Sequence, residues 1–248
     1  LAGTSSFTSS VTADAGSRIS PGGLGVGGTL NIGTLTLSTG TSIDLELGFS
    51  NDLITVTGSG GLTINGGSFN LLELGGFSAF ATNGTYTLID YNTSFTGSLA
   101  NLSIANSQAG KFYSLSDDTV NTRIVLTVAD AELSEWSGAG GDTAWSTGGN
   151  WTGSVPNAPG VVARFNNVNA SPTSVPLGGA RTVGGIVFNS TNGFTLTGGA
   201  AEAIRLDNGV AAASVNVVSG NHTISAPIEL VSSINATTGA GATLNLNG

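Results

Sequence analysis

The chain has 248 residues, 39% of them hydrophobic and only 8% charged, and its net charge is -9. Ordinary globular domains carry about a quarter charged residues. This composition therefore excludes a typical helical protein with a Lys/Glu/Arg surface, and also a disordered chain, which pairs high charge with low hydrophobicity. Lys111 and five dispersed arginines draw no basic stripe for nucleic acid or for an anionic membrane surface.

Cysteine and methionine are absent, so there is no disulfide frame and no thiolate metal site. The chain begins at Leu1 and is expected to be processed or to belong to something longer. No run of about 18 apolar residues is present, so membrane insertion through a helix is not expected.

In chain order, short segments alternate apolar and polar residues. They are "TLTLS" at 34–38, "SIDLELG" at 42–48, "LITVTG" at 53–58, "LTING" at 62–66 and "RIVLTV" at 123–128. The second half continues with "FTLTG" at 194–198, "AIRLDNG" at 203–209, "SVNVVSG" at 214–220 and "TLNLNG" at 243–248. Many end in Gly, Asn or Asp. This period of two predicts short β-strands with one face buried. The nearest approach to a helical pattern, "FSAFATNG" at 77–84, is closed at once by Gly84.

Strands recur about every ten residues, which suits either a sandwich or a solenoid. Very short strands, small aliphatic inward positions and irregularly placed Asn-Gly pairs favour a parallel β-solenoid. The expected organisation is a first solenoid unit at 1–129, a junction at 130–160 and a second unit at 161–248. The second unit is expected to continue beyond this segment or to stack on another copy.

The junction holds all three tryptophans, Trp136, Trp145 and Trp151, with Pro156 and Pro159. Proline stops strand pairing, and large aromatics cover an exposed solenoid end. The block is therefore expected to cap or bridge the two units. The competing reading is a glycan platform, in which the tryptophans, with Asn150 and Asp142, stack on sugar rings.

Other chemistry is sparse. Asp44 and Glu46 share one face of a strand and Asp52 follows in the next turn. Such carboxylates serve as acid and base, hold Ca²⁺, or simply point into solvent. Asp117 and Asp118, in "SLSDDTVN", suit a turn or a Ca²⁺ ion. His222 is the single histidine and has no marked nucleophile or orienting acid. No catalytic residue and no cofactor is expected, calcium being the one ion considered.

The ordered combination of segments resembles a family. "VTADAGSRISPGG" (11–23), "GTLTLSTGTSIDLELG" (33–48), "GTYTLIDY" (84–91), the tryptophan block, "RTVGGIVFNS" (181–190) and "NHTISAPIEL" (221–230) look like bacterial surface proteins with autotransporter-associated β-strand repeats. The family's short Gly/Thr-rich repeat with its Asn-Thr-Tyr turn is not seen. The resemblance implies a right-handed parallel β-helix on the surface of a Gram-negative bacterium. It implies a non-enzymatic fibre or filament segment whose partners are other copies or neighbouring repeats. The alternative is an adhesin that binds glycans through the tryptophans. An enzyme on a β-helix is a third reading, for which Lys, Arg and His are too scarce.

Overall fold

The computed structural model describes residues 1–248 and is all-β, with strands paired mostly in parallel, two short 3-10 segments and no α-helix. The chain divides into two units, Leu1–Asp130 and Ala131–Gly248.

In the first unit, one parallel sheet runs in the order Ala2–Gly3, Arg18–Pro21, Ser42–Leu47, Gly67–Glu73 and Leu102–Ile104. A second sheet contains the parallel strands Ser6–Ala13, Thr29–Leu37, Leu53–Ser59 and Gly84–Asn92. The alternation seen in the sequence becomes aliphatic ladders. Ile19, Ile43, Phe69 and Ile104 lie opposite one another on successive strands, as do Leu30, Ile54 and Ile89. All are buried, and each such side chain contributes about 1.5–3 kcal/mol.

Thr29–Leu37 changes partners midway. Its residues 29–32 pair with 53–56 and its residues 35–37 pair with 62–64. The bend needs Gly33, where a Cβ would stand 2.3 Å from the carbonyl oxygen of Thr8. The Asn65–Gly66 pair joins Leu62–Ile64 to Gly67–Glu73, which lie in different sheets. It turns a corner and does not close a hairpin.

The first unit departs from an all-parallel expectation in an isolated antiparallel bridge between Leu72 and Ala79 and, more extensively, near its end. Lys111–Asp118 and Arg123–Asp130 form an antiparallel hairpin, whose second strand pairs antiparallel with Gly84–Asn92. The turn is closed by Asp118. Its carboxylate accepts the Asn121 N–H at 3.1 Å and the Asn121 Nδ2 at 2.7 Å, and Thr122 takes a φ of 52°. No glycine marks this turn, so an Asn-Gly search passes over it.

The second unit contains three sheets that advance together. The first runs Leu133–Trp136, Val162–Asn166, Gly185–Asn189, Ala213–Ser219 and Ile234–Thr238. The second runs Thr173–Pro176, Phe194–Thr197, Asn221–Ile224 and Thr243–Leu246, and the third Arg181–Val183, Ile204–Leu206 and Ile228–Leu230. Val162 pairs with Gly185, Thr173 with Phe194 and Arg181 with Ile204, so one step along each sheet consumes 21 to 23 residues here. The next step lengthens to 29 between Gly185 and Ser214.

At one side of the first of these sheets, Trp151–Thr152 pairs antiparallel with Leu133–Trp136. At the other side, Ile228–Leu230, Ile234–Thr238 and Thr243–Leu246 are paired on one edge only. Leu230 and Leu246 are exposed there, although their ladder neighbours Leu206 and Ile224 are buried.

The stretch 130–160, expected as a separate junction, contains strands that pair within the second unit. The division falls between Asp130 and Ala131, and Leu133–Trp136 is a regular parallel partner of Val162–Asn166. The tryptophan block is therefore part of the second unit's own core. The reason is register, because Trp136 falls opposite Phe165, and Phe165 opposite Phe188.

Candidate functional site

The tryptophans form the heavy end of an aromatic column. Trp136 meets Trp151 edge to face, with ring centroids 5.1 Å apart, and Trp145 lies 4.9 Å from Trp151. Phe165 lies within 5.7 Å of Trp136 and Trp145 and stacks at 5.3 Å on Phe188. Trp136, Trp145 and Trp151 are 1%, 0% and 5% exposed. Stacking on a sugar needs an open ring face, and none of the three presents one.

Hydrogen bonds fix the block. Trp145 Nε1 donates to the carbonyl of Pro156 at 2.9 Å, and Trp151 Nε1 donates to the carbonyl of Trp145 at 2.7 Å. Asn150 is buried and its amide bonds at both ends. Its Oδ1 accepts from Gly140 N, and its Nδ2 donates to Asp142 Oδ1 and the Ala144 carbonyl. Asp142 also accepts from the Thr147 hydroxyl and the Ala144 N–H, and these bonds, Thr147's foremost, hold its carboxyl below the usual range. Asn150 and Asp142 thus tie the Gly-rich loop together, and both N–H donors of the Asn150 amide are spent within the loop.

Glu46 and Asp52 are neighbours in the first unit, with Asp44 two residues before Glu46 on the same strand, but in an unexpected setting. Ile43, Leu45 and Leu47 face the core, as the alternation predicts. The opposite face was expected in solvent, yet Asp44 and Glu46 are buried too. The loop 22–28 and the loop 74–79 fold over this outer face. Glu46 Oε1 accepts the Gly25 N–H at 2.6 Å and Oε2 accepts the Gly75 N–H at 3.4 Å. Asp44 pairs with the Arg18 guanidinium and accepts from Asn70 Nδ2 at 3.1 Å.

Asp52 accepts the Gly28 N–H at 2.8 Å on one oxygen and the Glu46 N–H at 2.9 Å on the other. Burial pushes its carboxyl up to about 6, with the nearby Glu46 charge adding and the two backbone hydrogen bonds opposing. Each carboxylate oxygen of Glu46 and Asp52 is thus engaged by a backbone donor. Glu46 and Asp52 act as internal clamps on loops, Asp44 ties neighbouring strands together, and no group of three or more Asp, Glu and His is arranged to hold a metal ion.

Asp117 and Asp118 do not act together. The Tyr91 hydroxyl donates to Asp117 at 2.5 Å, whereas Asp118 closes the hairpin turn. Asn121's side-chain bond, followed by its backbone N–H, holds Asp118 below the usual carboxyl range. Tyr91 is pushed up to about 12, first by burial and then by its bond to Asp117.

His222, for which the sequence marks no nucleophile or orienting acid, is a buried core residue. It is 1% exposed and stacks on Phe188 at 4.5 Å with a 15° interplanar angle. Nδ1 accepts the Phe194 N–H at 3.1 Å, so Nε2 carries the proton and faces the carbonyls of Ser219 at 2.9 Å and Ser190 at 3.2 Å. Burial holds its pKa below the ordinary 6.5, against the pull of those two carbonyls. The sequence signal was available in part, since His222 sits where "NHTI" alternation turns it inward beside Ile224.

No family model, no curated protein and no solved structure matches the chain.

Proposed function

We propose that this chain is a non-enzymatic structural segment, a β-solenoid of an extracellular bacterial fibre or filament. The observation that carries the reading is the joint advance of the three parallel sheets in the second unit. A chain that lays one short strand on each of three sheets per 21 to 29 residues is what a right-handed β-helix requires. Asp44, Glu46, Asp52, His222 and the three tryptophans are buried against the chain's own groups, which suits a scaffold more than a catalyst. The motif resemblance to surface proteins with autotransporter-associated repeats supports the cell-surface setting of a Gram-negative bacterium.

The unpaired edges at Ile228–Leu230, Ile234–Thr238 and Thr243–Leu246 are the proposed growth face. An open edge is a template for further strands, supplied by continuing chain or by another copy. Head-to-tail contacts that do not close produce filaments. Ser233 C=O and Gly239 N–H both bond to the preceding strand. By the two-residue period of a strand, Ala236 points its N–H and C=O at the open edge.

Ala236→Pro therefore blocks the edge without removing a native ladder bond. Electron microscopy of the undenatured protein tests the reading. Fibres with an axial repeat near 4.8 Å, lost in Ala236→Pro, are expected. Monodisperse short particles at every concentration would refute it.

A further inference from the structure

The loops 22–28, 48–52 and 74–79 follow three adjacent strands of one parallel sheet, Arg18–Pro21, Ser42–Leu47 and Gly67–Glu73. Their sequences are "GGLGVGG", "GFSND" and "LGGFSA". An apolar residue recurs at 24, 49 and 74, a spacing of 25 that places one in each loop. Phe49 is 104% exposed and Phe77 90% exposed, and Leu24, Val26 and Leu74 are exposed as well. No lysine or arginine lies in these loops, and their single acidic residue, Asp52, is buried.

The loops are held in place from beneath. Glu46 ties Gly25 to Gly75, and Asp52 ties Gly28 to the strand. They also pack on one another. A Cβ on Gly76 would stand 2.6 Å from Leu24 Cδ2, and one on Gly27 2.5 Å from Ser50 Oγ. An apolar surface already fixed in shape loses little entropy when it is covered. The glycines and buried carboxylates thus build a platform whose visible product is a set of apolar side chains in water.

We infer that this platform is a contact surface for a second copy of the same chain. Two fully exposed phenylalanines and three partly exposed aliphatics amount to roughly 600 Å² of apolar area, beyond what scattered surface residues provide. Placed against itself across a two-fold axis, it covers roughly 1,200 Å² in total, the lower bound of a specific interface. Two chains of net charge -9 repel, and an uncharged patch lets them meet without opposing like charges. Aromatic enrichment with depletion of charge is the composition of an interface centre. A lipid surface fits less well, because interfacial insertion leans on Lys and Arg around the apolar residues.

This contact lies in the first unit and does not depend on the end-to-end reading. The test is sedimentation velocity over a concentration series, in the Ala236→Pro background so that edge stacking is blocked. A monomer–dimer equilibrium is expected there. Phe49→Ser with Phe77→Ser is expected to weaken it about tenfold or more, with unchanged circular dichroism because both rings lie outside the core.

A monomer at every concentration overturns the inference, as does a dimer that survives the double substitution. A dimer present in the unsubstituted chain but lost in Ala236→Pro alone assigns the contact to the edges and also overturns it. Co-sedimentation with phosphatidylcholine vesicles, lost in the double variant of a monomeric chain, would instead make the platform a lipid contact.

Discussion

Acidification to about pH 5 should loosen the second unit through His222. In the folded chain Nδ1 is a hydrogen-bond acceptor for the Phe194 N–H. Protonation turns that acceptor into a donor facing a donor, inside a core with no countercharge. The neighbouring strands Gly185–Asn189, Phe194–Thr197, Ala213–Ser219 and Thr243–Leu246 carry no Asp, Glu, Lys or Arg. Burial therefore depresses the folded pKa below the ordinary 6.5.

The unfolded chain then binds more protons than the folded chain below 6.5. Stability is complete above that value and is lost as pH falls toward the folded pKa. The loss is at most about 1.4 kcal/mol per pH unit, so up to about 2 kcal/mol at pH 5. With a urea m-value of about 2 kcal/mol/M, the midpoint drops by up to about 1 M. Asp142, held below its ordinary 3.8, stays charged throughout. All three tryptophans lie in Ala131–Gly248, so tryptophan fluorescence during urea unfolding reports this unit alone. His222→Leu removes the titration and should flatten the pH dependence. Parallel midpoint curves for the native and variant chains would refute the reasoning.

Two further outcomes concern the clamps and the core. Asp52 should act with the opposite sign in the first unit. Its folded pKa near 6 exceeds the ordinary 3.8, so the folded chain binds more protons between those values and its stability falls as pH rises. The span corresponds to up to about 3 kcal/mol; amide exchange across residues 42–52, corrected for intrinsic rate, should slow on acidification, and protection that instead grows with pH would contradict this. Trp145→Ala should cost about 3–5 kcal/mol for the lost ring and about 1–3 kcal/mol more for the orphaned Pro156 carbonyl. Against a total stability of about 5–15 kcal/mol, this removes about half, and the urea midpoint followed by near-ultraviolet circular dichroism should fall by about 2–4 M at an m-value of about 2 kcal/mol/M. A folded variant that merely lost glycan binding would restore the platform reading of the tryptophans.

The order of strands could be read from the chain because period-two alternation and Gly/Asn punctuation are local. "SIDLELG", "LITVTG", "RIVLTV" and "SVNVVSG" all became strands within two residues of their expected bounds. All-β character and parallel pairing followed from the same short segments. The hairpin at Lys111–Asp130 escaped because its turn relies on Asp118 and Asn121 side chains, which serve equally well in any loop.

The sites depended on distant residues. Alternation places Asp44 and Glu46 opposite Ile43 and Leu45, but it cannot say that loops 22–28 and 74–79 cover that face. Whether a carboxylate is a solvated charge or a buried clamp is decided by what lies above it. In the same way, three tryptophans near one another in sequence fit a surface platform or a core equally well. Register with Phe165 and Phe188 turned Trp136 inward, because a ladder position on one strand inherits the environment of its partners 23 to 29 residues away, and Trp145 and Trp151 pack on the same Phe165 ring. Periodicity determines which way a side chain points, and only the stacking of neighbouring strands and loops determines what it meets there.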